Sequence, residues 1–117
     1  MIEKFGIGID IVTNKRFKEL PYSTNKKFYE KIFEQSEINY CLKFKNSEEH
    51  FAGKFAIKEA VIKSIKEKIE FLDILIYYSN SIPQVSLTNN LSYQFLVSIS
   101  HENLSTVAVV ISEKLDS

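Results

Sequence analysis

The hydrophobic pattern of this chain changes period twice along its length, and few folds accommodate that. Residues 5–12, FGIGIDIV, alternate as a β-strand does, with Phe5, Ile7, Ile9 and Ile11 on one face and Gly6, Gly8, Asp10 and Val12 on the other. From Thr24 to Phe44, and again from Ser47 to Lys68, apolar residues recur at helical spacing. Beyond them FLDILIYYS, QVSLT, YQFLVSIS and STVAVVISE are β-branched or aromatic runs of strand length, separated by NSIP, NN and HENL. A strand, then helices, then antiparallel strands predict an α+β domain with its helices laid on one face of a sheet.

The chain is 117 residues long, enough to bury a core as one domain, 1–117, without a staple. A lone cysteine, Cys41, forbids an internal disulfide, and the apolar start is interrupted by Glu3, Lys4 and Asp10. No run reaches bilayer length, so a cytoplasmic protein that does not enter a membrane is expected. Lys and Arg number 15 against 15 Asp and Glu, a formal net charge of +0 that argues against a general nucleic-acid binder and leaves any basic surface local.

Within the helical region, TNKRFKEL reads as a short turn of helix capped by Thr13 or Asn14 and ended by Pro21. The stretch to Phe44 predicts two helices broken near Gln35 or Ser36. The longest helix opens with Asn46 or Ser47 as cap, and Glu48 and Glu49 suit its positive end.

Two acids are out of place. Asp10 interrupts an apolar strand beside two glycines, which leave a hollow suited either to close backbone approach or to a bound group. Glu59 falls inside the stripe of Phe51, Phe55, Ile62 and Ile69 on the longest helix, with Lys63 at its margin. An i,i+4 pair between Glu59 and Lys63 would be worth only about 0.2–0.5 kcal/mol. A partly buried carboxylate needs more than that: a cation, a donor set or a metal. Two acids at one cleft suit magnesium, which takes one or two carboxylates plus phosphates and waters. The glycine face would give such a phosphate room, and Lys63 would sit on it.

GIGIDIVTNKRF (6–17), FAGKFAIKEAVIKS (51–64) and VSISH (97–101) together resemble the three signature blocks of the holo-acyl-carrier-protein synthases, small bacterial 4′-phosphopantetheinyl transferases. Their order, their spacing and the chain length agree with that family across nearly the whole sequence. The resemblance implies the 4′-phosphopantetheinyl transferase fold. It also implies magnesium-dependent transfer of the phosphopantetheine arm of coenzyme A, a substrate, to a serine of an apo acyl carrier protein, releasing adenosine 3′,5′-bisphosphate. Asp10 and Glu59 match the family's metal-holding acids, and Lys63 its lysine at the leaving phosphate. A carboxylate or a water is left as the acceptor of the serine proton.

Further roles come from the same resemblance. Lys54, Lys58, Lys63, Pro83 and His101 are expected at the coenzyme A phosphates, with Ser98 and Ser100 shaping the turn near His101, whereas His50 has no support and reads as structural. Arg16, the sole arginine, and Lys26, Lys27 and Lys31 are expected to meet the acidic face of the carrier protein, since a guanidinium grips a carboxylate bidentately. A homotrimer with clefts between subunits is implied, with Phe95, Val97, Ile99, Val107 and Val109 offering apolar faces. The chain departs from the pattern in three places: SIKEKIEFLD lacks the glycine-rich turn, SIP replaces a G-K-P turn, and NNLSY is short. These departures keep one alternative in view, a non-catalytic carrier-binding homologue. Against it stands the cost of burying acids that a binding protein has no use for.

Overall fold

The computed structural model describes residues 2–115. After a 3₁₀ turn at Ile2–Lys4 come β1 (Phe5–Thr13), α1 (Lys15–Lys18), a 3₁₀ turn at Tyr22–Thr24, α2 (Lys26–Glu30), α3 (Gln35–Leu42) and α4 (Ser47–Ser64). A further 3₁₀ turn at Phe71–Asp73 leads to β2 (Ile74–Ser79), β3 (Ile82–Leu87), β4 (Tyr93–His101) and β5 (Ser105–Lys114). The expected α+β class is present, with all pairings antiparallel. The strands form two sheets, β1-β5-β4 and the hairpin β2-β3. The hairpin turns through Asn80 and Ser81, both at positive φ, as a two-residue turn matching strand twist requires.

Boundaries shifted where tertiary contacts overrode local pattern. The break between α2 and α3 falls at 31–34, before Gln35, and Glu37 closes the start of α3 by accepting the Glu34 N–H at 2.8 Å. Helix α4 ends at Ser64 rather than Lys68: Ile65 turns extended, and the Ser64 carbonyl accepts the Ser112 hydroxyl of β5 at 2.9 Å. Asn14 and Asn46 take the N-cap positions without capping through their side chains.

Of the two readings of the glycine face of β1, the structure shows close backbone approach. Ile7, Ile9 and Ile11 are 60–69% exposed, and the glycine face is covered by α4. A Cβ on Gly6 would stand 1.7 Å from the Ser64 carbonyl oxygen, and one on Gly8 1.9 Å from that of Ala60. No hollow remains there for a phosphate. The glycines let helix backbone lie directly on strand backbone.

Helix α4 is accordingly enclosed on most sides rather than along one stripe. Phe51, Ala52, Phe55, Ala56, Ile57, Ala60 and Val61 are all buried, against the sheet on one side and Phe17, Tyr29 and Phe33 on another. Among the described residues no helix is long and apolar enough to cross a membrane.

Gly8→Ala is expected to destabilise the protein by about 2 kcal/mol or more, because the obstructing atom is main chain and cannot rotate away. A urea unfolding midpoint, compared with wild type at equal slope, measures it.

Candidate active site

Asp10 lies on the inner row of β1, beyond Gly8, where the last turns of α4 pass. The Lys63 ammonium donates to Asp10 Oδ1 at 3.0 Å and to the Ile9 carbonyl at 3.1 Å. The alternative pair within the helix is absent: among the described residues no ion pair joins Lys63 to Glu59. Asp10 is largely enclosed, its side chain 13% exposed, while Lys63 is 52% exposed. Burial, followed by the nearby Asp10 charge, pushes the Glu59 carboxyl above its ordinary range, and Lys63 and Arg16 oppose the shift. The Arg16 guanidinium rests 4.8 Å from the centroid of the Phe55 ring, one helical turn before Glu59.

These groups make a donor set for a hard cation. Burial is the main cause of the Glu59 shift, and the neighbouring Asp10 charge adds to it. Among the described residues no group of three or more His, Cys, Asp and Glu converges, so the chain supplies two carboxylates and no closed cage. That is the open, carboxylate-poor geometry magnesium uses when phosphates and waters complete its shell. Asp10 and Glu59 are the two carboxylates that could hold such a cation here.

A second group gathers at the other half of α4. Asp10 pairs with Ala108, which pairs with Ile99, so His101, two residues further along β4, stands about 12 Å from Asp10 on the same face of the sheet. The His101 ring meets α4 at Gly53, where a Cβ would lie 3.4 Å from Cε1. Pro83 pairs with Tyr78 inside the hairpin rather than sitting in its turn, and Tyr78 stacks on Tyr40. His50 stacks on Phe44 at 3.7 Å between centroids, and burial, then His101, lowers its pKa. Ser98 and Ser100 shape no turn. They are exposed strand residues on the outer face, paired with Val109 and Val107.

Lys54 and Lys58 need correction. Both are fully enclosed, at 1% and 0% exposure, with no phosphate-facing ammonium. Lys54 donates to the Ile76 carbonyl at 2.8 Å and lies 4.8 and 4.9 Å from the Tyr40 and Tyr78 ring centroids. Lys58 donates to the Ile32 carbonyl and Glu37 Oε1, both at 2.8 Å, and to the Phe71 carbonyl at 3.2 Å. Glu37, which the sequence reading passed over, is buried too and accepts the Ile76 N–H at 2.8 Å. Its only sequence signal was the pairing with Glu34 at the head of α3. On the opposite side, Lys26, Lys27 and Lys31 are exposed on and just after α2. Phe17 of α1 packs against Phe28 and Tyr29 of α2, which holds the two helices together.

Residues 6–110 match the family model described as the 4′-phosphopantetheinyl transferase superfamily. The chain is 36% identical over 107 residues to a holo-acyl-carrier-protein synthase of Mycoplasma capricolum, covering 92% of this chain and 93% of that one. Among solved structures, the Helicobacter pylori holo-acyl-carrier-protein synthase in complex with coenzyme A is 36% identical, with a TM-score of 0.75, over 92% of this chain and 99% of that one. A Bacillus anthracis synthase in complex with CoA (3′,5′-ADP) is 32% identical, with a TM-score of 0.78, over 94% and 96% of the respective chains.

Lys58→Ala leaves Glu37 buried and short of its cation, and is expected to cost about 3–5 kcal/mol. Chemical denaturation monitored by circular dichroism reads the loss.

Proposed function

Since the chain belongs to the 4′-phosphopantetheinyl transferase superfamily, and within it to the holo-acyl-carrier-protein synthases, we propose that it works through magnesium held by Asp10 and Glu59. The reaction moves phosphopantetheine from coenzyme A to a serine hydroxyl of an apo acyl carrier protein and leaves adenosine 3′,5′-bisphosphate. The convergence of Asp10, Glu59 and Lys63 at one edge of α4 is the observation that carries this reading.

Magnesium, when bound, neutralises charge on the pyrophosphate. The remaining work is positioning, because phosphoryl transfer asks chiefly that attacking and leaving oxygens stand in line. Asp10 and Glu59 fix where the pyrophosphate sits. Lys63, anchored at the Ile9 carbonyl and half exposed, is placed to turn its ammonium to the leaving phosphate. His101, with Gly53 leaving its ring clear and Pro83 on the neighbouring hairpin, takes the nucleotide end of coenzyme A. Lys54 and Lys58 drop out of that role and hold the frame instead. Arg16, with one face on Phe55 and its charge felt at Glu59, meets the carrier protein at the rim, and Lys26, Lys27 and Lys31 extend that basic surface.

A homotrimer with clefts between subunits belongs to the same reading. Its support is the outer face of the larger sheet, where Ile7, Ile111 and Leu96 lie side by side in one row of pairing and Ile9 pairs with Val109. Leu96 is 71% exposed and Ile7 69%, which makes a contiguous apolar surface of the kind that marks an interface. Val107 and Val109 belong to that face. Phe95, Val97 and Ile99 pack inward on the core.

Mass spectrometry of an apo acyl carrier protein incubated with coenzyme A, magnesium and this protein tests the activity, and absence of the phosphopantetheine adduct on every carrier tried would refute it. Asp10→Asn and Glu59→Gln are each expected to lower turnover by about a hundredfold or more while circular dichroism stays native. Near-native turnover of either at limiting magnesium would remove the metal assignment. Light scattering is expected to give a trimer for wild type and a monomer for Ile9→Glu; a wild-type monomer under active conditions ends the trimer proposal.

A further inference from the structure

Beneath His101 lies a chain of hydrogen bonds whose direction can be worked out atom by atom. The Asn14 amide is oriented by two main-chain acceptors, since its Nδ2 donates to the carbonyls of Glu102 at 3.2 Å and Asn103 at 3.3 Å. Turning the amide over would set its oxygen against both carbonyls. Asn14 Oδ1 therefore faces the Thr106 hydroxyl, 2.9 Å away, and as a carbonyl oxygen it can only accept. Thr106 has one proton, and it goes to Asn14. What the hydroxyl offers to His101 Nδ1, 3.0 Å away, is a lone pair. The proton in that last bond must be on Nδ1.

Burial makes the chain stringent. Thr106 is 0% exposed and Asn14 6%, so water does not compete for these bonds. The other edge of the ring turns toward α4 at Gly53, which has no side chain: a Cβ there would lie 3.4 Å from Cε1 and 3.8 Å from Nε2. Among the described residues no hydrogen bond joins Asn14 or Thr106 to Asp10 or Glu59.

We propose that Asn14 and Thr106 are positioning residues that hold His101 as its Nδ1–H tautomer and turn Nε2 toward coenzyme A. The inference rests on the reading of His101 as a coenzyme A contact. The neutral ring then presents a lone pair at Nε2, and only the imidazolium presents a proton there to an anionic phosphate oxygen. Thr106 decides which nitrogen meets the substrate without meeting it itself.

Nitrogen-15 and carbon-13 NMR of the ligand-free protein, labelled at histidine and held at about pH 8.5, well above the ordinary imidazole range, reads the tautomer directly. The expected result is Nδ1–H at His101 in wild type and in Thr106→Ser, and loss of that tautomer in Thr106→Val. An Nε2–H ring in wild type overturns the proposal and requires no variant to fold. Calorimetry with coenzyme A is expected to show about fivefold weaker binding for Thr106→Val, the loss of one hydrogen bond's worth of orientation, and a change within about twofold for Thr106→Ser. Equal affinities in wild type and Thr106→Val would overturn the positioning role. Undiminished affinity in His101→Ala would overturn the coenzyme A contact and the positioning role with it, whereas failure of the transfer chemistry itself shows separately, in the mass of the carrier protein.

Discussion

Everything at the site depends on how closely the backbone of α4 lies on β1. Gly6 and Gly8 face the carbonyl oxygens of Ser64 and Ala60 at distances where a Cβ has no place. Any side chain at either position would lift the helix off the strand by roughly the thickness of a methyl layer. That lift acts on the same turns of helix that carry Glu59 and Lys63. The 3.0 Å contact from Lys63 to Asp10, and the electrostatic coupling of Glu59 to Asp10, exist only while helix and strand touch through their main chains. The glycines set the distance between Asp10 and the turns that carry Glu59 and Lys63, and they leave no room on themselves for a phosphate.

Bringing the helix that close encloses it, and enclosure creates an electrostatic problem at Lys54 and Lys58. Burial lowers the pKa of both, and Glu37 is the opposing influence on Lys58. The solution is complete pairing: Lys58 gathers the carbonyls of Ile32, in the break between α2 and α3, and of Phe71, which opens the turn before β2, and Glu37 ties α3 to β2 through the Ile76 N–H. A buried pair is weak evidence for stability and better evidence for a defined arrangement. Here it joins four segments of chain around α4, and Glu59, the next residue after Lys58, inherits its direction from that join.

The alternation and helical spacing were enough to read the α+β class and every strand, because those patterns report burial, which the fold satisfies almost everywhere. Which side of β1 was buried was not legible. The isoleucines outweigh the glycines on any hydrophobic count, and only the close passage of α4 reveals that the glycine side is the inner one. The same blindness applied to Lys54 and Lys58. A lysine in sequence reads as solvated or as a phosphate contact, and nothing local announces that tyrosine rings and carbonyls will surround it. Asp10 and Glu59 stood out in the sequence for the opposite reason, being acids in apolar settings, and the fold brings them near enough for the Asp10 charge to act on Glu59. Asn14 and Thr106 carried no anomaly at all. They matter through a partner 92 positions away in sequence, and a single sequence gives no access to such a pairing.

Strand β1 thus has two faces with different tasks, and they are linked by the geometry of a strand. Asp10 on the inner row sits between Ile9 and Ile11 on the outer row, so a force on the outer isoleucines is transmitted to the carboxylate through one peptide unit on either side. Lys63 reinforces this coupling by binding the Ile9 carbonyl along with Asp10. A second copy seated on the exposed Ile7, Ile9 and Ile11 would bear directly on the strand that sets the position of Asp10. Under the proposed function, subunit association and metal placement would be two aspects of one constraint. Because the inner face of β1 is already locked against α4, whatever packs on the outer face can change the site only by shifting strand and helix together.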